Sequence, residues 1–271
     1  MPDPIQQLGL IAGNGKFPIL FARAAKAKNI KVIAAGIRGD TEFYFPYLVD
    51  RFAWFRPGEL RKLFAYFKGA GVRQVIMAGQ VNPKNLFDDK VAMDEEFRGL
   101  FAALKDRKAD TIFKAVAERL QANGMELLDS TMLLRDYLAP KGTLTKRAPT
   151  VGELEDVQFG LTIAKLMGGI DIGQTVVVKE KAIVAIEAME GTDRAIARGC
   201  TIARKGAVVV KTSKPKQDDR FDVPVIGPKT IKVMAKNKGG CLAIEADKTL
   251  VIDMDETLRL ANEADICIVA A

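Results

Sequence analysis

The stretch LGLIAGNGKFP, residues 8–18, decides the fold. Leu8 to Ala12 is an unbroken apolar run of strand length, and Gly13-Asn14-Gly15-Lys16 follows as a tight glycine loop. From Ile19 to Lys28 the apolar residues recur at helical spacing, and Lys31 to Gly36 is a second short apolar run. Strand, glycine loop, helix and strand in immediate succession make a βαβ unit, which requires a parallel sheet.

Working outward, further strands are expected at Arg51 to Phe55, Val72 to Ala78 and Met125 to Leu128. A helix opened by Pro57 should run to Phe67, and another from Ala109 to Asn123 should stop at Gly124. Residues 139–150 (APKGTLTKRAPT) carry Pro, Gly, Thr and cations without periodicity and read as a linker. The second half restarts with a helix near Leu154 to Met167. Apolar runs follow at 174–178, 182–187 and 206–210, helical patterns at 193–198 and 229–236, strands at 241–245, 250–253 and 266–269, and a short helix at 256–263. The expected fold class is therefore α/β in two domains: a Rossmann-like parallel sheet over 1–138, a linker over 139–150, and a second α/β domain over 151–271.

Composition narrows the chemistry. The 271 residues contain no histidine, which excludes a Ser-His-Asp triad, a Cys-His pair, a His-ligated zinc and a phosphohistidine. Carboxylates, Lys and Arg, hydroxyls, backbone amides or an oxygen-ligated metal must do the work. A net charge of +7 suits an anionic substrate or surface. Cys200, Cys241 and Cys267 form no CxxC pair and indicate a reducing compartment. No apolar run is long enough to span a bilayer and the N-terminus does not read as a signal peptide, so a cytosolic protein is expected, free to touch a membrane surface.

Four places carry candidate chemistry. In the first loop, Gly13, Gly15 and Lys16 suit phosphate binding at a helix start, although Pro18 stands where a dinucleotide fingerprint needs its third glycine and no acidic residue closes the second strand. In the second half, KTSKPKQDDRFDVPVIG (211–227) follows a strand. From Thr201 to Gly240 there are ten Lys or Arg and only three acids, Asp218, Asp219 and Asp222. Carboxylates among cations suit a phosphate diester with a divalent metal, the acids holding Mg2+ and Lys211, Lys214 and Arg220 meeting phosphate oxygens. A third place is EAMEGTD (187–193), where Glu190, Gly191, Thr192 and Asp193 open a helix whose amides either are capped or bind phosphate. The fourth is Gly79 to Lys84, with Asn82 lining the first domain's cleft. Cations lack interleaved aromatics, so a nucleic-acid groove is not indicated.

LGLIAGNGKFP, IEAMEGTDRAI and KPKQDDRFDVPVIGPKTI together resemble the UDP-2,3-diacylglucosamine pyrophosphatase family of lipid A biosynthesis, the LpxI type, over essentially the whole chain. The KPxQDxRxDxPxIGxxT pattern is the specific part. Phe17 stands where leucine is expected. The resemblance implies hydrolysis of UDP-2,3-diacylglucosamine to UMP and 2,3-diacylglucosamine 1-phosphate, with Mg2+ as cofactor and water attacking the sugar-side phosphorus. It implies an N-terminal substrate-binding domain and a C-terminal catalytic domain, with lipid held between them. The catalytic aspartate maps to Asp222 first and to Asp219 or Asp218 second, with Gln217 among the substrate contacts and all three aspartates as metal ligands. The partners implied are a lipid-linked nucleotide sugar and the inner-membrane surface; whether the chain forms a homo-oligomer is left open. Two other classes stay in view, a nucleotide-dependent oxidoreductase and a non-catalytic nucleotide or lipid carrier.

Overall fold

The computed structural model describes residues 5–81, 93–106 and 108–271. The chain forms two compact units, Met1–Leu134 with Asp219–Asp222, and Arg135–Asp218 with Val223–Ala271.

The first unit is built on five parallel strands, β1 (Gln7–Ala12), β2 (Lys31–Ile37), β3 (Arg51–Phe55), β4 (Gln74–Ala78) and β5 (Glu126–Leu127), in the order β3-β2-β1-β4-β5. The strands are runs such as LGLIA and VIAAGI with both faces buried, as a sheet covered on both sides demands. Its helices are α1 (Phe17–Ala27), α2 (Leu60–Gly69), α3 (Glu95–Ala102) and α4 (Ala109–Ala122). Ile11, Ile33, Val75 and Met77 share one core with Phe64, Phe67, Leu100 and Leu120 from α2, α3 and α4. α1 packs on β2 and β4 with Phe17, Phe21 and Ala22 buried. The order reverses between β1 and β4, so the loops after these two strands flank a topological switch point.

Pro57 does not open α2. Gly58 follows it at φ +95°, outside helical space, and the turn closes when the Arg56 amide donates to the Glu59 carboxylate at 2.8 Å. α3 was not expected; the Asp94 side chain caps it by accepting from the Phe97 amide at 2.9 Å.

The second unit holds a six-stranded mixed sheet in the order β6-β13-β11-β9-β7-β8. The strands are β6 (Gly142–Thr143), β7 (Thr175–Lys179), β8 (Ala182–Ile186), β9 (Ala207–Lys211), β11 (Gly239–Ile244) and β13 (Cys267–Ala270). A separate pair, β10 (Val225–Ile226) and β12 (Leu250–Val251), is parallel. Helices α5 (Val151–Gly169), α6 (Thr192–Ala203), α7 (Pro228–Lys236) and α8 (Met254–Glu263) complete it. The valines alternate between two cores: Val176, Val178, Val208 and Val210 pack with Val157 and Ala164 of α5, while Val177 and Val209 pack with Ile196, Ile231, Met234 and Ala261 of α6, α7 and α8. Gly160 lets α5 lie against the sheet, since a Cβ there would stand 2.6 Å from Val210; Gly199 does the same for α6 over Val177 at 2.6 Å. A methyl at either point meets core atoms with no room to yield, a clash of about 1–3 kcal/mol.

Residues 139–150, expected as a linker, are bound into this second unit. β6 pairs antiparallel with β13, the Ala139 amide donates to Thr249, and Arg147 forms a bidentate pair with Glu153 at 2.8 and 3.0 Å. The three cysteines are buried thiols outside any disulfide. Among the described residues no helix is long and apolar enough to cross a membrane.

Candidate active site

In the first unit, Gly13 and Asn14 are committed to the fold. The Gly13 amide donates to Ala78 and that of Asn14 to Gln80, both at 2.8 Å. A Cβ on Gly13 would stand 2.6 Å from the Gln80 carbonyl oxygen, so the glycine is required where the β1 loop crosses the end of β4. Gly15 differs, lying at φ +81° with open space where a side chain would go. Exposed Lys16 forms the N-cap of α1, whose first turn carries no acid. Gly15 and Lys16 are thus the members of the first loop presented outward at the positive end of a helix. Asn82 lies outside the described residues.

The segment Asp219–Asp222 also belongs to the first unit. Both the amide and the hydroxyl of Ser130 donate to the Asp219 carbonyl, at 3.0 and 2.7 Å. Phe221 stacks on Phe113 of α4, with ring centroids 5.6 Å apart. Asp222 is half-buried and Asp219 exposed. Arg220 lies over Phe221 and lines a cavity of about 920 Å3 with Gln7, Arg73, Gln74 and Glu126, which begin β1, β4 and β5. That places Arg220 at the amino ends of the strands, whereas Gly15 and Lys16 follow the carboxyl end of β1.

In the second unit, sheet direction gathers polar residues at one edge. β9 and β11 end there with Lys211 and Ile244, β8 ends there before Glu187, and antiparallel β7 begins there with Thr175. Lys211 is 6% exposed; its ammonium donates to the Thr192 hydroxyl at 2.9 Å and lies 3.5 Å from that of Thr175. Thr192 in turn donates to Glu187 Oε1 at 2.7 Å. Glu187 Oε2 is buried without a hydrogen bond, 4.0 Å from the ammonium. Lysine, threonine and glutamate therefore form a directed chain beneath the first turn of α6. Gly191, at φ +84°, turns the backbone into that helix. Glu190 is occupied by Arg198 at 2.7 Å and the Ala188 amide at 3.0 Å, and Asp193 by Lys229 of α7 at 2.8 Å.

Beside this chain, the loop after β9 is clamped. Glu245 Oε2 accepts from the Ser213 amide at 2.9 Å, the Ser213 hydroxyl at 2.6 Å and Lys165 at 2.7 Å, while Lys248 reaches Oε1 at 2.6 Å. Burial alone would raise the Glu245 carboxyl, but these donors outweigh it and hold it down at about 2. Lys214 pairs with Asp171 at 2.6 Å, and its amide donates to Gln217 Oε1.

The sequence reading therefore named Lys211, Thr192, Lys214 and Gln217 but missed Glu187, Thr175, Lys165, Glu245 and Asp171. Glu187 and Glu245 had a signal, since each directly follows an apolar strand ending at this edge. Lys165 had none; inside a helix it reads as an ordinary surface lysine. The three-carboxylate magnesium site does not fit this arrangement: among the described residues no group of three acidic, His or Cys side chains is close enough to share an ion.

Family models match the chain in two consecutive blocks, the LpxI N-terminal domain over residues 7–137 and the LpxI C-terminal domain over residues 140–269. A relative from Caulobacter vibrioides, UDP-2,3-diacylglucosamine pyrophosphatase LpxI, is 30% identical over 96% of this chain and 95% of its own length. Among solved structures, the biotin carboxylase domain of Hydrogenobacter thermophilus 2-oxoglutarate carboxylase aligns at 12% identity over 73% of this chain and 41% of that one. Its TM-score of 0.29 carries no argument. Matched in both halves and along nearly its whole length, this chain belongs to the LpxI family.

Proposed function

We propose that this protein hydrolyses UDP-2,3-diacylglucosamine to UMP and 2,3-diacylglucosamine 1-phosphate. The observation that carries the reading is the match to both LpxI domains together with the full-length pyrophosphatase relative. Water forms a bond to the sugar-side phosphorus, the bond from that phosphorus to the bridging oxygen breaks, and UMP leaves with the electron pair. A carboxylate receives the proton of the attacking water. Asp222 is assigned this role ahead of Asp219 because it is the less exposed of the two and ends the segment that Ser130 and Phe113 hold. Asp218 ranks third. Gly15 and Lys16 are assigned to substrate phosphate, as are the first turn of α6 and Lys211 beneath it.

Magnesium would offset the negative charge of the diphosphate. The protein is placed in the cytoplasm, taking its lipid from the inner-membrane surface.

Hydrolysis in 18O-labelled water tests the reading: label is expected in the lipid phosphate and not in UMP. Absence of UMP with or without magnesium overturns the function, and full turnover in excess EDTA overturns the ion alone. Asp222→Ala should lower kcat by about 10²–10⁴-fold with KM little changed. Near-normal kcat in the folded variant would transfer the role to Asp219.

A further inference from the structure

Residues 43–47 (FYFPY) place three aromatic rings on the surface of the first unit: Phe43 is 81% exposed, Tyr47 86% and Tyr44 38%. The turn is not a loose loop. Phe45 at its centre is fully buried, with its ring 6.2 Å from that of Phe52. Just before it, the Thr41 hydroxyl donates to the Ala12 carbonyl at 2.5 Å and accepts from the Ile37 amide at 2.8 Å. A fixed backbone thus holds Phe43 and Tyr47 largely out in water, against the hydrophobic effect, with Phe43 packed edge-to-face on the partly covered Tyr44 at 5.5 Å between ring centroids. The turn packs against α1. Between residues 16 and 31, the sequence that contains α1 has five cations, Lys16, Arg23, Lys26, Lys28 and Lys31, and no acid. Arg23 and Lys26 on α1 and Lys28 just past it are exposed.

We propose that this face docks the protein on an anionic lipid bilayer, with the rings of Phe43, Tyr44 and Tyr47 entering the boundary between headgroups and acyl chains and the α1 cations meeting lipid phosphates. Amphipathic rings prefer that boundary, and juxtaposed Lys and Arg add attraction to an anionic leaflet. Glu42 and exposed Asp50 flank the turn, so the cationic attraction comes from α1, whose acid-free stretch beside the exposed rings favours a bilayer over a protein partner. The proposal deepens the reading of the chain as an enzyme of a diacylated substrate and rests on it for its motivation; vesicle binding is measured apart from turnover.

The test is sedimentation of the full-length protein with phosphatidylcholine vesicles, with and without phosphatidylglycerol, at low and high salt. Binding is expected only to the anionic vesicles and should weaken as salt rises. Phe43→Ser/Tyr47→Ser and, separately, Arg23→Glu/Lys26→Glu should each reduce partitioning by about tenfold or more. Turnover of substrate dispersed in detergent should be unchanged in both. Wild-type protein that stays in the supernatant overturns the proposal, as does an aromatic variant that sediments like wild type. Loss of detergent-phase turnover in the folded aromatic variant also overturns it, by assigning the rings to the substrate's acyl chains. A wild-type dimer that the aromatic variant makes monomeric without loss of vesicle binding overturns it in favour of a second copy. Vesicle binding as expected, in a protein that releases no UMP, would sink the proposed reaction and leave the docking face standing.

Discussion

At the scale of the residue, Lys211 is a charged side chain of the second unit that is only 6% exposed. A buried ammonium needs compensation, and here two threonine hydroxyls and a carboxylate 4.0 Å away provide it. Thr192 has spent its proton on Glu187, so it can only accept from Lys211, which fixes the direction of the chain. Lys211→Met keeps the apolar stem and removes the charge, leaving Glu187 as a buried carboxylate without a cation. That variant should lose about 3–5 kcal/mol of stability, as a broken buried pair does. Adding Glu187→Gln should return most of the stability, because the amide oxygen can still accept from Thr192. If Lys211 serves only the fold, kcat/KM returns with stability. If its charge acts on the diphosphate, as proposed, the double variant is stable and remains impaired by about 10² or more in kcat/KM. Urea unfolding and steady-state kinetics on the two variants decide between these outcomes.

At the scale of the element, the loop after β9 is held by one carboxylate on the neighbouring strand's exit. Glu245 gathers Ser213, Lys165 and Lys248, joining α5, β9 and β11. Its carboxyl lies at about 2 in the fold, below the ordinary value of about 4.5. A depressed carboxylate contributes stability that is complete above its unfolded value and is lost as pH falls through the folded one. Acid unfolding of the wild type should therefore contain a component between about pH 4.5 and 2. Glu245→Gln should be less stable at neutral pH and show a flatter loss over that window by circular dichroism. An identical acid slope in both proteins would mean the clamp contributes nothing.

Of this clamp only Glu245, directly after an apolar strand, had a signal in the sequence; its partners Lys165 and Ser213 lie on elements far apart along the chain. The strands themselves were legible: β1, β2 and β3 fall within about a residue of expectation because each is a continuous apolar run. The misses have local causes. β6 and β10 are two-residue strands that long-range pairing creates. Proline before Gly58 looked like a helix start, and the positive φ of that glycine ended the pattern. Glu187 was passed over for Glu190, three residues on. Only the sheet's direction reveals that the first faces Lys211 while the second is clamped by Arg198.

At the scale of the molecule, sequence order and spatial order part company at the motif. Residues 211–227 look like one loop of the second half, yet Asp219–Asp222 pack with the first unit while their flanks pack with the second. Phe221 is the physical reason: it stacks on Phe113 and joins the core that α2, α3 and α4 build on the sheet. A single tryptophan, Trp54 in β3, makes the first unit's unfolding visible by fluorescence. Phe221→Ala removes one ring of a stacked pair and part of its burial. It should cost the first unit about 1–2 kcal/mol, since the ring is only partly buried and a fully buried Phe→Ala costs about 3–5 kcal/mol. The Trp54 transition should therefore move to lower urea, although residue 221 lies far along the chain from residue 54. Phe221→Leu, which keeps apolar contact with Phe113, should recover part of that shift. If Phe221 belonged only to a solvated loop, the Trp54 midpoint would be the same in all three proteins. The two outcomes differ by more than the error of a midpoint, and the sign of the shift decides whether the motif's aspartates are held by the first unit's core.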